Sequence, residues 1–375
     1  MVCGVPLRWI VCLNRDDRSP DVSCALAVLL PERLRVLRLR RRLCWPSSWA
    51  GLRRALPRES RDYTPRGARL ARRGRHFPAL GYNPQPMKVS TSEFVSVRGL
   101  RYHLRHWGPA VAPRLFLLHG WMDVAASFQF LVDAFSREWH VIAPDWRGFG
   151  LSARQHGPYW FPDYSADLEA LLDHYSPDEP ARLVGHSMGG NIACLYAGAR
   201  PQRVAKLATL EGFGLRASDP MQAPTRLAQW LDQLKSGVSF RDYADRNEFA
   251  QRLLHDNPRL KPEQAAFLAE HFVELGDDGR YRPAADTHQK MVNPMLYRLE
   301  EAQACWRAIT APVLWVAARD SYIMKAFEGH EADYAARLAC FRDVREVVME
   351  DCGHMMHHDQ PQRLAAMLEA FMTEC

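Results

Sequence analysis

Three residues of the types that cooperate in nucleophilic catalysis stand in three distant segments of the chain. Ser187 lies in the stretch "GHSMG", Asp320 in "ARDS" and His354 in "CGHMMHHDQP". A serine hydroxyl is a weak nucleophile at neutral pH, so it needs a base, and the base needs an orienting carboxylate. The sequence therefore predicts Ser187 as the nucleophile, His354 as the general base and Asp320 as the acid that holds the imidazole.

The surroundings of Ser187 fit a sharp turn from a strand into a helix. The apolar run "RLVGH" precedes it, and a segment rich in small residues follows it. Such a turn exposes a serine at the end of a sheet, and Gly185 and Gly189 remove the Cβ atoms that would collide across it. An oxyanion formed by attack on a carbonyl also needs donors. We predict the backbone N–H groups of Met188 and of Trp121, in the loop "HGW", as those donors.

For several other polar residues we expect a structural role rather than a catalytic one. Asp145 and Arg147 in "DWRGFG" are expected to tie down a turn, and His119 to shape its loop. His357 and His358 stand near His354, but no carboxylate or cysteine set in the sequence completes a metal site. We therefore expect no metal and no cofactor.

The segments that carry these residues alternate between strand-like and helix-like patterns. Short apolar runs typical of buried strands are "EFVSV", "LRYHLRHW", "LFLLH", "HVIAP", "RLVGH", "KLATLEG", "VLWVAA" and "REVVME". Helical stripes with i, i+3, i+4, i+7 spacing separate several of them. This alternation predicts an α/β fold with a mostly parallel sheet flanked by helices. Residues 215–311 are too long for a simple connection, and we predict a helical cap there, with the core formed by 87–214 and 312–375.

Five landmarks in this order carry a family resemblance: "LHGW", "DWRGFGLS", "GHSMGG", "ARDS" and "GHMMHHDQP". From about residue 93 to 373, the chain resembles the α/β-hydrolase superfamily. The segment "LHGWMDVAASF" and the position of the cap resemble serine-hydrolase-like proteins, near the meta-cleavage-product hydrolases. Some members of the superfamily place the acid one strand earlier, so Glu211 is an alternative to Asp320.

The resemblance implies attack on a carbonyl carbon. The strand-to-helix turn that carries Ser187 is called the elbow below. Epoxide hydrolases and haloalkane dehalogenases have aspartate at the elbow, so the serine argues against both. We expect hydrolysis of a carboxylic ester, thioester or lactone with a hydrophobic acyl or aryl group, where Trp121, Trp160 and Trp230 could line the pocket. The alternatives are carbon–carbon bond hydrolysis of the meta-cleavage-product type and a non-catalytic ligand-binding protein on the same scaffold.

Charge and cysteine content bear on nucleic-acid binding, membrane insertion and the compartment of the protein. Residues 1–86 contain 18 Arg, no Lys and six acids, whereas the remainder carries 31 basic and 37 acidic groups. The mildly acidic body predicts no nucleic-acid binding, and no apolar run is long enough to span a membrane. The Arg-rich segment fits an unstructured extension, a transit peptide, a basic tail that binds membrane or nucleic acid, or a mis-assigned start of a chain whose translation begins at Met87. The nine cysteines show no paired spacing, which favours a reducing compartment such as the cytoplasm, or an organelle if the transit peptide is genuine.

Overall fold

A computed structural model describes residues 87–155 and 157–374 of the chain. The predictions made for residues 1–86 lie outside the described residues. No helix in the described part is long and apolar enough to cross a membrane.

Among the described residues, eight strands form one mixed sheet, and two more form a separate hairpin. The strands are β1 Ser90–Val97, β2 Leu100–Trp107, β3 Arg114–Leu118, β4 His140–Pro144, β5 Ala181–His186, β6 Val204–Leu210, β7 Val273–Leu275, β8 Tyr281–Pro283, β9 Val313–Ala318 and β10 Val344–Met349. The order in the large sheet is β1-β2-β4-β3-β5-β6-β9-β10. The pairs β1–β2 and β2–β4 are antiparallel and all other pairs are parallel. The predicted α/β architecture with a mostly parallel sheet is confirmed.

Helices cover the large sheet on both faces. The helices are α1 Gln129–Ala134, α2 Phe161–Tyr175, α3 Met188–Ala199, α4 Ala223–Ser236, α5 Arg246–Asp256, α6 Pro262–Phe272, α7 Leu299–Ala308, α8 Tyr322–Lys325, α9 Glu331–Leu338, α10 Met356–Asp359 and α11 Pro361–Thr373. Alternate residues of β3 enter two different cores, because side chains along a strand point to opposite faces. Phe116 and Leu118 pack with α2, α3 and α7, whereas Leu115 and Leu117 pack with α1 and α11.

The long interval between β6 and β9 is mainly helical. Helices α5 and α6 pack on each other around a small apolar cluster, and the hairpin β7–β8 follows them. Helix α4 has no buried residue, and its leucines Leu227, Leu231 and Leu234 are all exposed. Helix α7 instead packs on α3, where a Cβ on Gly198 would lie 2.2 Å from the carbonyl oxygen of Cys305. The last helix of the interval therefore packs with the sheet, and the cap boundaries at 215 and 311 stay a prediction.

Candidate active site

Ser187 occupies a strained turn between β5 and α3. Its backbone has φ 52° and ψ −115°, a region that costs free energy for a residue with a side chain. The turn is held by its own N–H, which donates to the carbonyl of Leu210 at 2.8 Å, and by its carbonyl, which accepts from Asn191 N–H at 3.0 Å. Two neighbouring elements thus hold Ser187 in a conformation that a free chain would avoid.

Close backbone approach explains the two glycines that flank this serine. A Cβ on Gly185 would lie 2.5 Å from the carbonyl carbon of Gly189, and a Cβ on Gly189 would lie 2.1 Å from the carbonyl oxygen of Leu118. Both distances are far below ordinary van der Waals contact. The turn can therefore pack against β3 only if both positions carry hydrogen as the side chain.

The imidazole of His354 is bound by a buried carboxylate from another strand end. His354 Nδ1 lies 2.6 Å from Glu211 Oε2, so Nδ1 donates and Nε2 is left with a free lone pair. Glu211 Oε1 accepts from Ala318 N–H at 3.0 Å and from Ser321 Oγ at 2.6 Å. The Glu211 side chain is fully buried, and its backbone has a positive φ of 54°. Three donors thus stabilise the ionised carboxylate, which offsets the cost of burying it.

Asp320 does not contact His354 in the described part of the chain, which corrects the pairing expected from the sequence. Asp320 Oδ2 instead accepts from Arg259 Nη2 at 2.6 Å, and both side chains are about 40% exposed. The physical reason is that Glu211, one strand nearer to the nucleophile, already occupies the Nδ1 side of the ring. The alternative acid from the sequence, Glu211, holds the position predicted for Asp320.

Ser187 and His354, the predicted nucleophile and the predicted base, lie at the same edge of the sheet but share no hydrogen bond within residues 157–374. His186, next to Ser187, links them: its Nε2 donates to the carbonyl of His354 at 2.9 Å, and the two rings lie 4.7 Å apart. A hydrogen bond between a nucleophile and its base is often long in the free enzyme and tightens only when substrate is bound. The structure thus links Ser187 and His354 through His186, without a hydrogen bond between them.

The loop after β3 lies against the elbow. A Cβ on Gly120 would be 3.2 Å from Ser187 Cβ, so the adjoining peptide of Trp121 lies beside the nucleophile. Met188 is the first residue of α3, where a backbone N–H has no acceptor within the helix. The two predicted oxyanion donors therefore flank Ser187, and their role stays a prediction.

His119 shapes this loop, as expected. Its Nδ1 donates to the carbonyl of Gly120 at 2.7 Å, and its Nε2 accepts from Trp146 N–H at 2.9 Å. Burial lowers the pKa of His119 to about 4, so the ring is neutral at neutral pH. Asp145 likewise fixes turns, since it accepts from the N–H groups of Ala125 and Leu151.

A cavity of about 140 Å³ opens beside the elbow. Trp121 and Met188, the residue that follows Ser187, line it. Trp160 and Trp230 also line it, with ring centroids 6.3 Å apart. The three tryptophans that the sequence suggested for a pocket therefore share one cavity next to Ser187.

A group of buried histidines lies next to the site. Ser127 Oγ is 2.9 Å from His357 Nε2 and 2.8 Å from His358 Nε2, and it donates to Asp123 Oδ2 at 3.2 Å. Burial lowers the pKa of His358 to about 3 and raises that of Asp123 to about 7. Burial also lowers the pKa of His186 and His357 well below the ordinary value.

Sequence reasoning missed two residues of this site. Asp123 is the carboxylate that sequence reasoning did not find for the histidine cluster, and Ser321 is a hydrogen-bond donor to the buried Glu211. Asp123 follows "HGWM" and Ser321 follows Asp320 directly. Only their position after strands at the same sheet edge as Ser187 could have drawn attention to them.

Comparisons with known proteins agree on one family. A family profile described as "alpha/beta hydrolase fold" matches residues 113–361. A serine hydrolase-like protein of Danio rerio is 26% identical over 277 residues, which cover 71% of this chain and 83% of that protein. Lipase LipV of Mycobacterium tuberculosis is 29% identical over 287 residues, which cover 72% and 96%. Among solved structures, a thioesterase domain from the curacin biosynthetic pathway superposes with a TM-score of 0.65 at 23% identity, covering 75% of this chain and 99% of that domain.

Proposed function

The chain belongs to the alpha/beta hydrolase fold family, and from that premise we propose that it is a serine hydrolase of carboxylic esters with a hydrophobic acyl or aryl group. One observation carries the proposal: the buried Glu211 carboxylate bonds His354 Nδ1 at the same sheet edge where Ser187 is held in a strained turn. A carboxylate bonded to Nδ1 keeps Nε2 of the imidazole free to accept the proton of a serine hydroxyl. The relative named as a lipase supports an ester as the substrate.

The proposed reaction has two stages. Ser187 Oγ attacks the carbonyl carbon while its proton passes to His354 Nε2, and the former carbonyl oxygen takes the negative charge between the N–H groups of Trp121 and Met188. The intermediate expels the alcohol, which takes the proton from His354, and an acyl-Ser187 ester remains. Water then attacks that ester by the same route and releases the acid. Glu211 keeps Nδ1 as a donor and stabilises the imidazolium that forms in each stage.

The cavity supports a hydrophobic group on the substrate. Its walls include the aromatic rings of Trp121, Trp160 and Trp230, together with Met188. Burying an apolar group against such walls contributes roughly 25 cal/mol per Å² of apolar surface removed from water.

Labelling with a fluorophosphonate probe tests the nucleophile without knowledge of the natural substrate. We expect the wild type to be labelled at Ser187, and Ser187→Ala to lose both labelling and hydrolysis of p-nitrophenyl esters. Ser239→Ala removes an exposed hydroxyl and serves as the matched control, which should remain fully active. A wild type that neither reacts with the probe nor hydrolyses any ester of the panel would favour a ligand-binding protein. Faster turnover of a ring-cleavage dienoate than of every ester would favour carbon–carbon hydrolysis.

A further inference from the structure

Three buried metal-ligating side chains converge beside the nucleophile. Asp123 follows β3, His186 ends β5, and His357 lies in α10, so each comes from a different strand connection. One ligand atom from each lies within 4.8 Å of the other two, and all three residues are buried. From this convergence we propose that Asp123, His186 and His357 bind a divalent transition-metal cation such as Zn²⁺.

Each histidine of the trio has one nitrogen bonded and one nitrogen free. His186 Nε2 donates to the carbonyl of His354 at 2.9 Å, and His357 Nε2 contacts Ser127 Oγ at 2.9 Å. The Nδ1 atoms of both rings are buried and have no hydrogen-bond partner among the described residues. Buried polar atoms without a partner are rare because they carry the full cost of lost hydration. A metal-bound histidine usually has this arrangement, with its second nitrogen bonded to a carbonyl or a polar side chain.

The carboxylate of the trio makes a cation a better ligand than a neutral molecule. Asp123 accepts from Val124 N–H at 2.8 Å and from Ser127 Oγ at 3.2 Å. No arginine or lysine in the described part of the chain forms an ion pair with it, and its nearest basic group is His357 at 3.8 Å. A buried carboxylate without a cationic partner is costly. A divalent cation would neutralise it while accepting lone pairs from the two imidazoles.

The ligand types and spacing favour zinc-like ions over Mg²⁺ or Ca²⁺. Two imidazoles with one carboxylate suit Zn²⁺, Cu²⁺ or Ni²⁺, whereas Mg²⁺ and Ca²⁺ prefer oxygen ligands alone. Ligand atoms about 2.0–2.1 Å from a tetrahedral Zn²⁺ lie roughly 3.3 Å apart. The ligand atoms of the three residues lie within 4.8 Å of one another, so closing by at most roughly 1.5 Å would bring them to this spacing. Three protein ligands leave the fourth position for water.

Binding at this position would join the loops that carry the reactive groups. Asp123 is two residues from Trp121, His186 adjoins Ser187, and His357 is three residues from His354. A cation held by all three ligands would cross-link these loops in the folded state. Since a ligand that binds only the folded state raises stability by mass action, the temperature of unfolding should rise when the site is filled.

Zinc titration of the full chain tests the proposal. After removal of metals with EDTA, we expect calorimetric titration with ZnCl₂ to show one saturable site, and thermal unfolding to shift upward with Zn²⁺. The variant His357→Gln should bind at least tenfold more weakly and lose the shift. His255→Gln removes a histidine whose side chain is 88% exposed, and this matched control should behave as the wild type. Equal affinity of the wild type and His357→Gln, or no saturable site below millimolar Zn²⁺, would overturn the proposal.

Direct location of the ion keeps the test decisive if the variant does not fold. Crystals of the wild type soaked in ZnCl₂ should give an anomalous peak in contact with Asp123, His186 and His357 at the zinc absorption edge. Peaks at exposed histidines alone would reject the site. Neither readout depends on enzymatic turnover, so failure here leaves the proposed hydrolase function untouched.

Discussion

The loops that follow β6 and β9 each present a carboxylate at the same edge of the sheet, but the two carboxylates differ in burial and in hydrogen-bond partners. Glu211, after β6, is fully buried, accepts hydrogen bonds from Ala318 N–H and Ser321 Oγ, and bonds His354. Asp320, after β9, is 41% exposed, and its Oδ2 atom accepts from Arg259. Position in the sequence therefore does not decide which acid orients a base.

The difference in burial and in partners makes Glu211 better suited than Asp320 to the proposed role of orienting acid. A buried carboxylate with fixed donors exerts its charge through a low dielectric, whereas a charge near water is screened. An acid already paired with an arginine has less charge to offer an imidazole. The positive φ of Glu211 indicates that the chain accepts local strain to aim this side chain, whereas no such strain occurs at Asp320 in the described backbone.

The largest expected effect follows from Glu211→Gln. The amide cannot carry the negative charge that stabilises the imidazolium of His354, and it can favour the wrong tautomer. We expect kcat for p-nitrophenyl ester hydrolysis to fall by roughly 10³–10⁴-fold. Circular dichroism of the variant should match the wild type, and an activity within tenfold of the wild type would contradict the assignment of the acid.

Buried and exposed groups should also differ in their response to acid. Because the pKa values of His119 (about 4) and His358 (about 3) lie below the ordinary histidine value, the unfolded chain binds more protons than the folded one below about pH 6.5. Each of these two residues therefore costs about 2 kcal/mol of stability between pH 6.5 and pH 5. His186 and His357, with pKa values lowered well below the ordinary value, act in the same direction. Asp123, with a pKa raised to about 7, acts in the opposite direction.

Four buried imidazoles lower the stability in acid and one carboxyl raises it. Their contributions together predict a lower free energy of unfolding at pH 5 than at pH 7. Urea unfolding at the two pH values measures it, with EDTA present so that no metal ion occupies Asp123, His186 and His357. The variant His358→Gln should reduce the difference between the two pH values, because one buried imidazole no longer titrates. Equal or greater stability of the wild type at pH 5 would show that these rings do not remain neutral on folding.

A smaller effect is expected from Ser321→Ala. The hydroxyl donates to Glu211 Oε1 at 2.6 Å and accepts from Met324 N–H at 3.0 Å at the start of α8. Its loss leaves one carboxylate oxygen with a single donor, and we expect about a tenfold decrease in kcat. A buried hydrogen bond of this kind also contributes about 1–3 kcal/mol to stability. Ser239→Ala, the exposed control, should change neither quantity, and an unchanged kcat in Ser321→Ala would argue that Glu211 is held by packing alone.

Much of the fold could be predicted because its central strands are buried on both faces. The run "LFLLH" predicted a strand at 115–119, and β3 is Arg114–Leu118. Ser187 could be found because the turn demands glycine at 185 and 189, where any Cβ would overlap backbone. In both cases a local requirement, burial for the strand and steric clearance for the turn, restricts the residue types that can occur.

The orienting acid could not be chosen from the sequence, because two carboxylates follow strands that end at the same edge. The difference between them depends on contacts between distant segments, since His354 bonds Glu211 across 143 positions of the chain and Arg259 bonds Asp320 across 61. The stripe of Leu227, Leu231 and Leu234 shows the same limit. Helical spacing predicts an apolar face but not what covers it, and in the described structure these leucines are exposed.

The rate of fluorophosphonate labelling tests the assignment of Glu211 as the acid most directly. It is compared for the wild type, Glu211→Gln and Asp320→Asn. This rate reports activation of Ser187 and does not depend on the choice of ester. We predict that Glu211→Gln slows labelling by at least 10²-fold, whereas Asp320→Asn, which loses only an exposed ion pair, changes it by less than about threefold. Slow labelling of Asp320→Asn together with normal labelling of Glu211→Gln would contradict the assignment of Glu211 as the acid.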